Sequence, residues 1–275
     1  MTQPQLLAQT EGRRPSSRPL AVATGASGGI GLELARILAR EGYDLVLVAR
    51  SLPELERIAR ELSANHNVGA EASQADLSDP AAPRQLFEAV SARGRAVDIL
   101  INNAGFGLAG RFDQTDGTRE LEMIQVNVAA VTELTKLFLP GMIQRGRGRI
   151  MNVASTAAFQ PGPLMAVYYA TKAYVLSFTQ AVAEELRDTG VTLTALCPGP
   201  THTGFAKIAN MQGTRLFNSP LTMGARDVAE YGYRAMMRGH RVAIPGVFNR
   251  LGAFATRLAP RRVLTKLARL AQENR

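Results

Sequence analysis

Residues 155 to 172, STAAFQPGPLMAVYYATK, place Ser155 thirteen positions before Tyr168 and Tyr168 four before Lys172. On a helix, positions i and i+4 share a face. A phenol of reference pKa about 10 exchanges protons poorly at neutral pH, but a nearby ammonium stabilises its phenolate and lowers that value. Lys172 is placed to do this. Tyr168 would then give a proton to a carbonyl oxygen, or take one from a hydroxyl, while the Ser155 hydroxyl holds that oxygen in place. Residue types alone also fit two helix-surface side chains and a loop serine, because a tyrosine and a lysine four apart are common. Tyr169 adjoins Tyr168 but has no lysine four residues on. Thr156 follows Ser155, and the thirteen-residue spacing favours Ser155.

A second chemical feature lies near the start. The run LAVAT at 20–24 leads into TGASGGIG at 24–31, with Gly25, Gly29 and Gly31 interleaved with Ser27 and Ile30. Glycines at a strand-to-helix turn permit positive φ and let backbone N–H groups approach a pyrophosphate, to which a helix N-terminus adds partial positive charge. A dinucleotide is expected there. The next strand-type run ends in Ala49 and Arg50, where a dinucleotide fold meets the adenosine ribose. An acid at that point would select a free 2′-hydroxyl, whereas the planar donor fork of Arg50 suits a 2′-phosphate, so NADP(H) is expected over NAD(H). A solvated surface arginine is the alternative.

These residues need a scaffold, and the pattern of the chain supplies one. Short apolar runs at 20–24, 44–49, 97–102, 149–154, 191–197 and 241–245, with a weaker one near 68–74, alternate with helical stretches. Such runs are buried on both faces, which predicts an α/β fold: one Rossmann-type doubly wound parallel sheet of about seven strands with helices on each side. With 275 residues and 46% hydrophobic side chains, the chain can bury a full core. No apolar run reaches the ~18 residues of a spanning helix. The single Cys197 allows no intramolecular disulfide and reads as a small buried residue. No metal-ligand spacing stands out, and His66, His202 and His240 are assigned no role. A cytoplasmic location is expected.

The formal charge of +9 is concentrated at the ends. Residues 1–19 carry +2 and residues 250–275 carry +6, which leaves +1 on 20–249. Residues 1–19 read as a flexible basic leader. The stretch 250–275 reads as a basic amphipathic helix with Val263, Leu264, Leu267, Leu270 and Ala271 in one stripe and Arg261, Arg262, Lys266 and Arg269 around it. Such a helix can dock on its own domain, on a second subunit or on an anionic membrane. Nucleic acid is a remote partner for it.

Taken together, TGASGGIG, NNAG at 102–105, Asn127, Ser155, YYATK at 168–172 and CPGPTHT at 197–203 resemble the short-chain dehydrogenase/reductase family in order and spacing, over about 20–249. The resemblance implies a nicotinamide cofactor, no metal and Tyr168 as general acid/base. It implies that Lys172 also binds the nicotinamide ribose, that Ser155 positions the substrate oxygen, and that Asn127 holds a water linking Lys172 to solvent. Asp76 and Leu77 would lie beside the adenine, although Asp76 also suits a helix N-cap. Asn103, Ala104 and Gly105 would line the adenosine ribose, and Pro198, Gly199 and Thr203 would clasp the nicotinamide end. Asn102 would tie central strands together. Many NADP-using members have a basic residue where this chain has Gly28. The family also implies a homo-oligomer.

Apolar residues after the strand ends, namely Phe106, Leu108, Phe159, Pro161, Met165, Phe205, Ile208, Met211 and Phe217, suggest a hydrophobic ketone, aldehyde or alcohol as substrate. The long connection at about 200–222 is expected to form a lid. The functional expectation is an NADP(H)-dependent oxidoreductase. The rival is a catalytically silent NADP(H)-binding sensor or interaction protein on the same fold.

Overall fold

The structure, a computed structural model, describes residues 18–209, 211 and 222–272. Nearly all of the leader, Phe217 and about half of the segment expected to form a lid (210 and 212–221) lie outside the described residues.

Seven strands form one sheet: β1 (Leu20–Thr24), β2 (Asp44–Ala49), β3 (Ala70–Gln74), β4 (Val97–Asn102), β5 (Gly148–Val153), β6 (Val191–Leu196) and, after a small separate pair, β9 (Val242–Ala243). Their order is β3-β2-β1-β4-β5-β6-β9, and every neighbouring pair is parallel. The helices between them are α1 (Gly29–Arg40), α2 (Leu52–His66), α3 (Ala82–Ser91), α4 (Gly117–Ile124), α5 (Ala130–Gln144), α6 (Ala166–Glu185), the short α7 (Phe205–Ile208) and α8 (Ala225–Met237).

Strand side chains alternate between two cores, as a period of two requires. Ala21, Ala23, Leu45, Leu47, Ile99 and Ile101 pack with Leu34 and Leu38 of α1, Ile58 of α2 and Val228 of α8. Leu20, Val22, Val46, Val48, Leu100 and Ile150 face the other way, toward Leu86 of α3, Leu134 and Phe138 of α5 and Leu186 at the end of α6. Burying each large side chain stabilises the fold by about 1.5–3 kcal/mol. The doubly wound sheet is therefore the expected one. The order in which strands are added reverses at β1, which lies between β2 and β4, and the crevice there is where such sheets bind ligands.

Three local features differ from the sequence expectation. The last strand shrinks to two residues because only Ala195 and Leu196 of β6 have partners on it, opposite Val242 and Ala243. A small parallel pair, β7 (Thr201–His202) with β8 (Met223–Gly224), pins together the two ends of the long connection. The expected single helix over 250–275 is two helices, α9 (Val247–Ala255) and α10 (Arg261–Gln272), and Pro260 stands immediately before the second. The stretch Gly117–Gln144 is continuous helix of 28 residues, long and apolar enough by composition to cross a membrane. Here it lies against the sheet, with α5 packed on β4 and β5.

Polar side chains cross the middle of the sheet. Asn102 Nδ2 donates to Asn152 Oδ1 at 2.8 Å and to Thr135 Oγ1 at 3.2 Å, and Asn152 Nδ2 donates to Thr179 Oγ1 at 3.0 Å. Asn102 thus ties β4 to β5 as expected. Replacing Asn152 with Ala removes the acceptor of a buried donor, so Asn152→Ala should lower the unfolding free energy in urea by about 1–3 kcal/mol. An unchanged midpoint would show that this network contributes nothing.

Candidate active site

The turn after β1 is held from the neighbouring strand. Thr24 Oγ1 accepts from the backbone N–H groups of Asn103 and Ala104, both at 3.0 Å, and Asn103 Nδ2 donates to the carbonyls of Thr24 and Gly25 at 3.0 and 3.2 Å. Gly25 and Gly29 have φ of +65° and +56°, which side chains with a Cβ rarely adopt. Gly31 serves packing: a Cβ there would collide with the Gly25 carbonyl and the Asn103 amide. Gly28, extended at the N-cap of α1, has nothing within 4 Å of a Cβ position. The methyl of Thr203 comes within 3.1 Å of a Cβ on Gly29, so the segment after β6 closes over the turn.

A cavity of about 760 Å³ runs along the carboxyl ends of the strands. Gly25, Ser27, Gly29, Ile30, Arg50, Asp76, Leu77, Asn103, Ala104, Gly105, Ser155, Tyr168, Lys172, Pro198, Gly199 and Thr203 all line it. Of the site residues expected from the sequence, only Gly31 and Asn127 stand behind its wall. At the end beside β2, Asp76 feels the charges of Arg50 and Arg119. Burial would raise its carboxyl, but hydrogen bonds from the Ser78 N–H and hydroxyl together with these arginines hold it below the ordinary value. Asp76 is not an N-cap of α3, whose N-cap position is Ala81. Arg50 forms no salt bridge among the described residues, and Gln74 Nε2 donates to its carbonyl at 2.9 Å.

At the other end Tyr168 and Lys172, one turn apart on α6, are both buried. Lys172 Nζ donates to the Val153 carbonyl at 2.8 Å and lies 5.8 Å from the centre of the Tyr168 ring. Burial pushes the Tyr168 phenol well above its ordinary range, and the Ser155 hydroxyl, hydrogen-bonded to it, pulls it part of the way back. Burial also lowers Lys172 to about 8, while Cys197 opposes that change. The sequence expectation that Lys172 depresses the phenol is therefore not met in the structure. Both groups are desolvated, and Lys172 hangs from a carbonyl rather than from the phenol. Cys197 is fully buried, with its thiol pushed up to about 12 by burial, as suits a packing residue.

Asn127 sits in a π-helical turn, Gln125–Ala129, between α4 and α5. Its Nδ2 donates to the Phe106 carbonyl at 2.9 Å and to Thr171 Oγ1 at 3.1 Å, and its Oδ1 accepts from Phe106 N–H at 3.1 Å. A Cβ on Gly105 would lie 2.9 Å from Asn127 Oδ1 and 3.5 Å from Lys172 Nζ. The missing Cβ keeps a passage between those two atoms.

Of the apolar residues expected around a substrate, Phe106, Met165, Phe205, Ile208 and Met211 line the cavity. Leu108, Phe159 and Pro161 do not: Leu108 packs behind the wall, Phe159 packs toward Cys197 and Val175, and Pro161 is exposed. The Phe205 ring lies 5.2 Å from that of Tyr168. Several lining residues escaped the sequence reading. Phe248, Asn249, Ala253 and Thr256 bring α9 into the wall, although nothing in their local pattern places that helix there. Arg119 and Glu122 also line it, paired with each other, with the guanidinium 4.7 Å above the Phe106 ring. Tyr169 is a wall residue whose hydroxyl accepts from Gln272 Nε2 of α10 at 2.8 Å. The αL conformation of Leu164, whose carbonyl accepts from Gly110 N–H at 2.8 Å, joins the loops after β4 and β5.

A doubly wound sheet, a glycine-lined crevice and a buried tyrosine and lysine beside a half-buried serine at one end define a nucleotide-dependent oxidoreductase. A profile of the short chain dehydrogenase family matches residues 19–212. This chain belongs to the short-chain dehydrogenase/reductase family, whose members use a nicotinamide cofactor. It is 30% identical over 225 residues to an uncharacterized oxidoreductase from Staphylococcus saprophyticus, covering 82% of this chain and 94% of the relative. Among solved structures it is similar to a short-chain dehydrogenase from Sphingobium yanoikuyae in complex with NADPH, with 33% identity, a TM-score of 0.78 and 87% and 94% of the two chains covered. It is also similar to the bulky-bulky ketone specific alcohol dehydrogenase from Comamonas testosteroni, at 29% identity, TM-score 0.74 and 90% and 100% coverage. A family member from Burkholderia phymatum in complex with NAD gives 26% identity, TM-score 0.75 and 94% and 98% coverage.

The state of Lys172 has a measurable consequence. Its folded value of about 8 lies below the ordinary 10.5, so between those pH values the unfolded chain binds more protons and stability rises with pH. The difference in unfolding free energy between the ligand-free protein and Lys172→Met should grow in favour of lysine by roughly 1 kcal/mol per pH unit across that window. Above pH 9 the buried Cys197 opposes this rise, and because Lys172 and Cys197 interact, the comparison is read between pH 8 and 9. A pH-independent difference would contradict the buried, depressed lysine.

Proposed function

We propose that this protein is an NADP(H)-dependent carbonyl reductase for bulky apolar ketones or aldehydes, able to oxidise the corresponding alcohols in reverse. The observation that carries this reading is the meeting of Ser155, Tyr168 and Lys172 with an apolar wall of Met165, Phe205, Met211 and Phe248 in one cavity. The glycine turn fits a dinucleotide: positive φ at Gly25 and Gly29, the open approach at Gly28 and the N-terminus of α1 would hold the pyrophosphate. Arg50 would meet the 2′-phosphate, Asp76 and Leu77 the adenine, and Asn103, Ala104 and Gly105 the adenosine ribose. Lys172 would hold the nicotinamide ribose, with Pro198, Gly199 and Thr203 over the ring. When bound, the nicotinamide supplies the hydride that adds to the carbonyl carbon.

The chain's own residues handle the oxygen. Ser155 donates to the carbonyl oxygen and orients it toward Tyr168 Oη, which gives up its proton as negative charge builds there. Burial holds the phenol protonated at neutral pH but also makes it a weaker acid, so the transfer relies on the charge building on the substrate oxygen and on Ser155 and Lys172 stabilising the phenolate. Lys172 stabilises the resulting phenolate, and a water between Lys172 Nζ and the remaining lone pair of Asn127 Oδ1 returns the proton from solvent. The charged groups in the wall are Arg50, Asp76, Arg119, Glu122 and Lys172 among the described residues. Arg119 is paired with Glu122, so the Tyr168 end offers a carboxylate substrate no dedicated clamp.

A cytoplasmic location, where NADPH is kept reduced, accompanies this reading. So does self-association, for which Leu121 and Ile124 of α4 and Tyr174 of the adjacent α6 offer exposed apolar surface. The test is a panel of ketones, aldehydes and alcohols run with NADPH and NADH. Apolar carbonyls should be turned over with NADPH preferred, and Arg50→Ala should raise the KM for NADPH about tenfold while moving that for NADH far less. Preference for NADH, or for small charged keto acids, would overturn the cofactor or substrate assignment respectively. NADPH binding without turnover of any member would indicate a sensor.

A further inference from the structure

The C-terminal helices present an apolar surface that the fold does not cover. On α10 the sequence stripe is split: Leu264, Ala268 and Gln272, at i, i+4 and i+8, are buried against the domain, while Val263, Leu267 and Leu270, at i, i+4 and i+7, face outward. The α9 helix repeats the arrangement, with Ala253 inward and Val247, Leu251 and Phe254 outward. Leu251, Phe254, Leu267 and Leu270 are 57–61% exposed.

Charge decides what can cover this surface. Arg262, Lys266 and Arg269 form a second row along α10, directly beside Val263, Leu267 and Leu270, and Arg250 stands in the same relation to the apolar face of α9, with Arg257 in the turn that follows it. From Gly246 to Gln272 there are six basic residues and no acid. A two-fold contact between copies of this face would set these cations against each other. An anionic lipid surface accepts both rows at once, the apolar one among the acyl chains and the long basic side chains reaching the headgroups.

We propose that the outer faces of α9 and α10 dock the enzyme peripherally on an anionic lipid surface. The inner face of α10 stays in place through Leu264 and the Gln272 to Tyr169 hydrogen bond, so the helix presents its outer row without leaving the domain. The docking also orients the cavity. Phe248 lines the cavity wall and is itself 68% exposed, so the mouth beside α9 opens next to the docked surface. An apolar carbonyl dissolved in the bilayer would enter there. That last step rests on the substrate reading above, and the docking does not.

Co-sedimentation of the full chain with phosphatidylcholine vesicles, with and without added phosphatidylglycerol, tests the docking separately from catalysis. The wild type should bind the anionic vesicles at least about tenfold more tightly than the neutral ones and release in high salt. Leu267→Glu with Leu270→Glu, outside the cavity wall, should lose the binding while turning over a water-soluble carbonyl at the wild-type rate. Arg262→Glu with Lys266→Glu should lose the anionic preference. Failure of the wild type to bind anionic vesicles overturns the proposal, as does unchanged binding by the leucine double variant. Light scattering identifies the rival occupant: an oligomer that the same leucine variant dissociates, without vesicle binding by the wild type, would assign the face to a second copy. If vesicles bind but no apolar carbonyl is reduced, the docking stands and the substrate reading falls.

Discussion

Thr24 Oγ1 accepts from two backbone N–H groups of β4's following loop and donates to the Ile101 carbonyl at 3.2 Å, which fixes the end of β1 to the end of β4. The site is assembled around this joint. Because every strand runs in the same direction, the loops that follow β1, β2, β4, β5 and β6 open on one edge, and Asn103 spans the gap to the Gly25 carbonyl. The glycine turn is thus held in shape by hydrogen bonds from the protein itself. Such preorganisation lowers the cost of ordering a loop on binding.

The same edge brings the catalytic groups together under a second constraint, desolvation. Tyr168 and Lys172 lie at the inner end of the cavity, where burial disfavours the charged form of each and pushes the phenol up and the ammonium down. Burial thus weights the pair toward a neutral phenol and a more readily deprotonated lysine. Phe205, Met165 and Met211 maintain this by excluding water from the same space that would accept an apolar substrate.

What could be read from the chain depended on how local the signal was. The strand runs, the glycines at 25, 29 and 31, and the spacing of Ser155, Tyr168 and Lys172 are short-range patterns, and the structure gathers all but Gly31, which packs behind the wall, around one crevice. Asn102 was also legible as a strand tie. The role of α9 in the wall was not, because Asn249 reaches Gly199 only through tertiary packing. Arg119 had no motif around it, and its place over Phe106 comes from tertiary packing of α4 against the loop after β4. The C-terminal stripe misled in a specific way: a continuous apolar face suggested one docked side, whereas Ala268 and Gln272 make the true inner face and leave three large side chains outside. The direction of the Tyr168 shift was missed because the spacing of a tyrosine and a lysine carries no information about burial.

The central claim is that Tyr168 transfers the proton in a cavity whose dinucleotide cradle is built independently of it. The most direct measurement pairs NADPH titration with carbonyl reduction in Tyr168→Phe, since loss of the hydroxyl leaves the packing against Phe205 and Tyr169 nearly unchanged. NADPH affinity should stay within about threefold of wild type while kcat falls by about 10²- to 10⁴-fold. A variant that still reduces the carbonyl at a rate near wild type, or that no longer binds NADPH, would contradict the account.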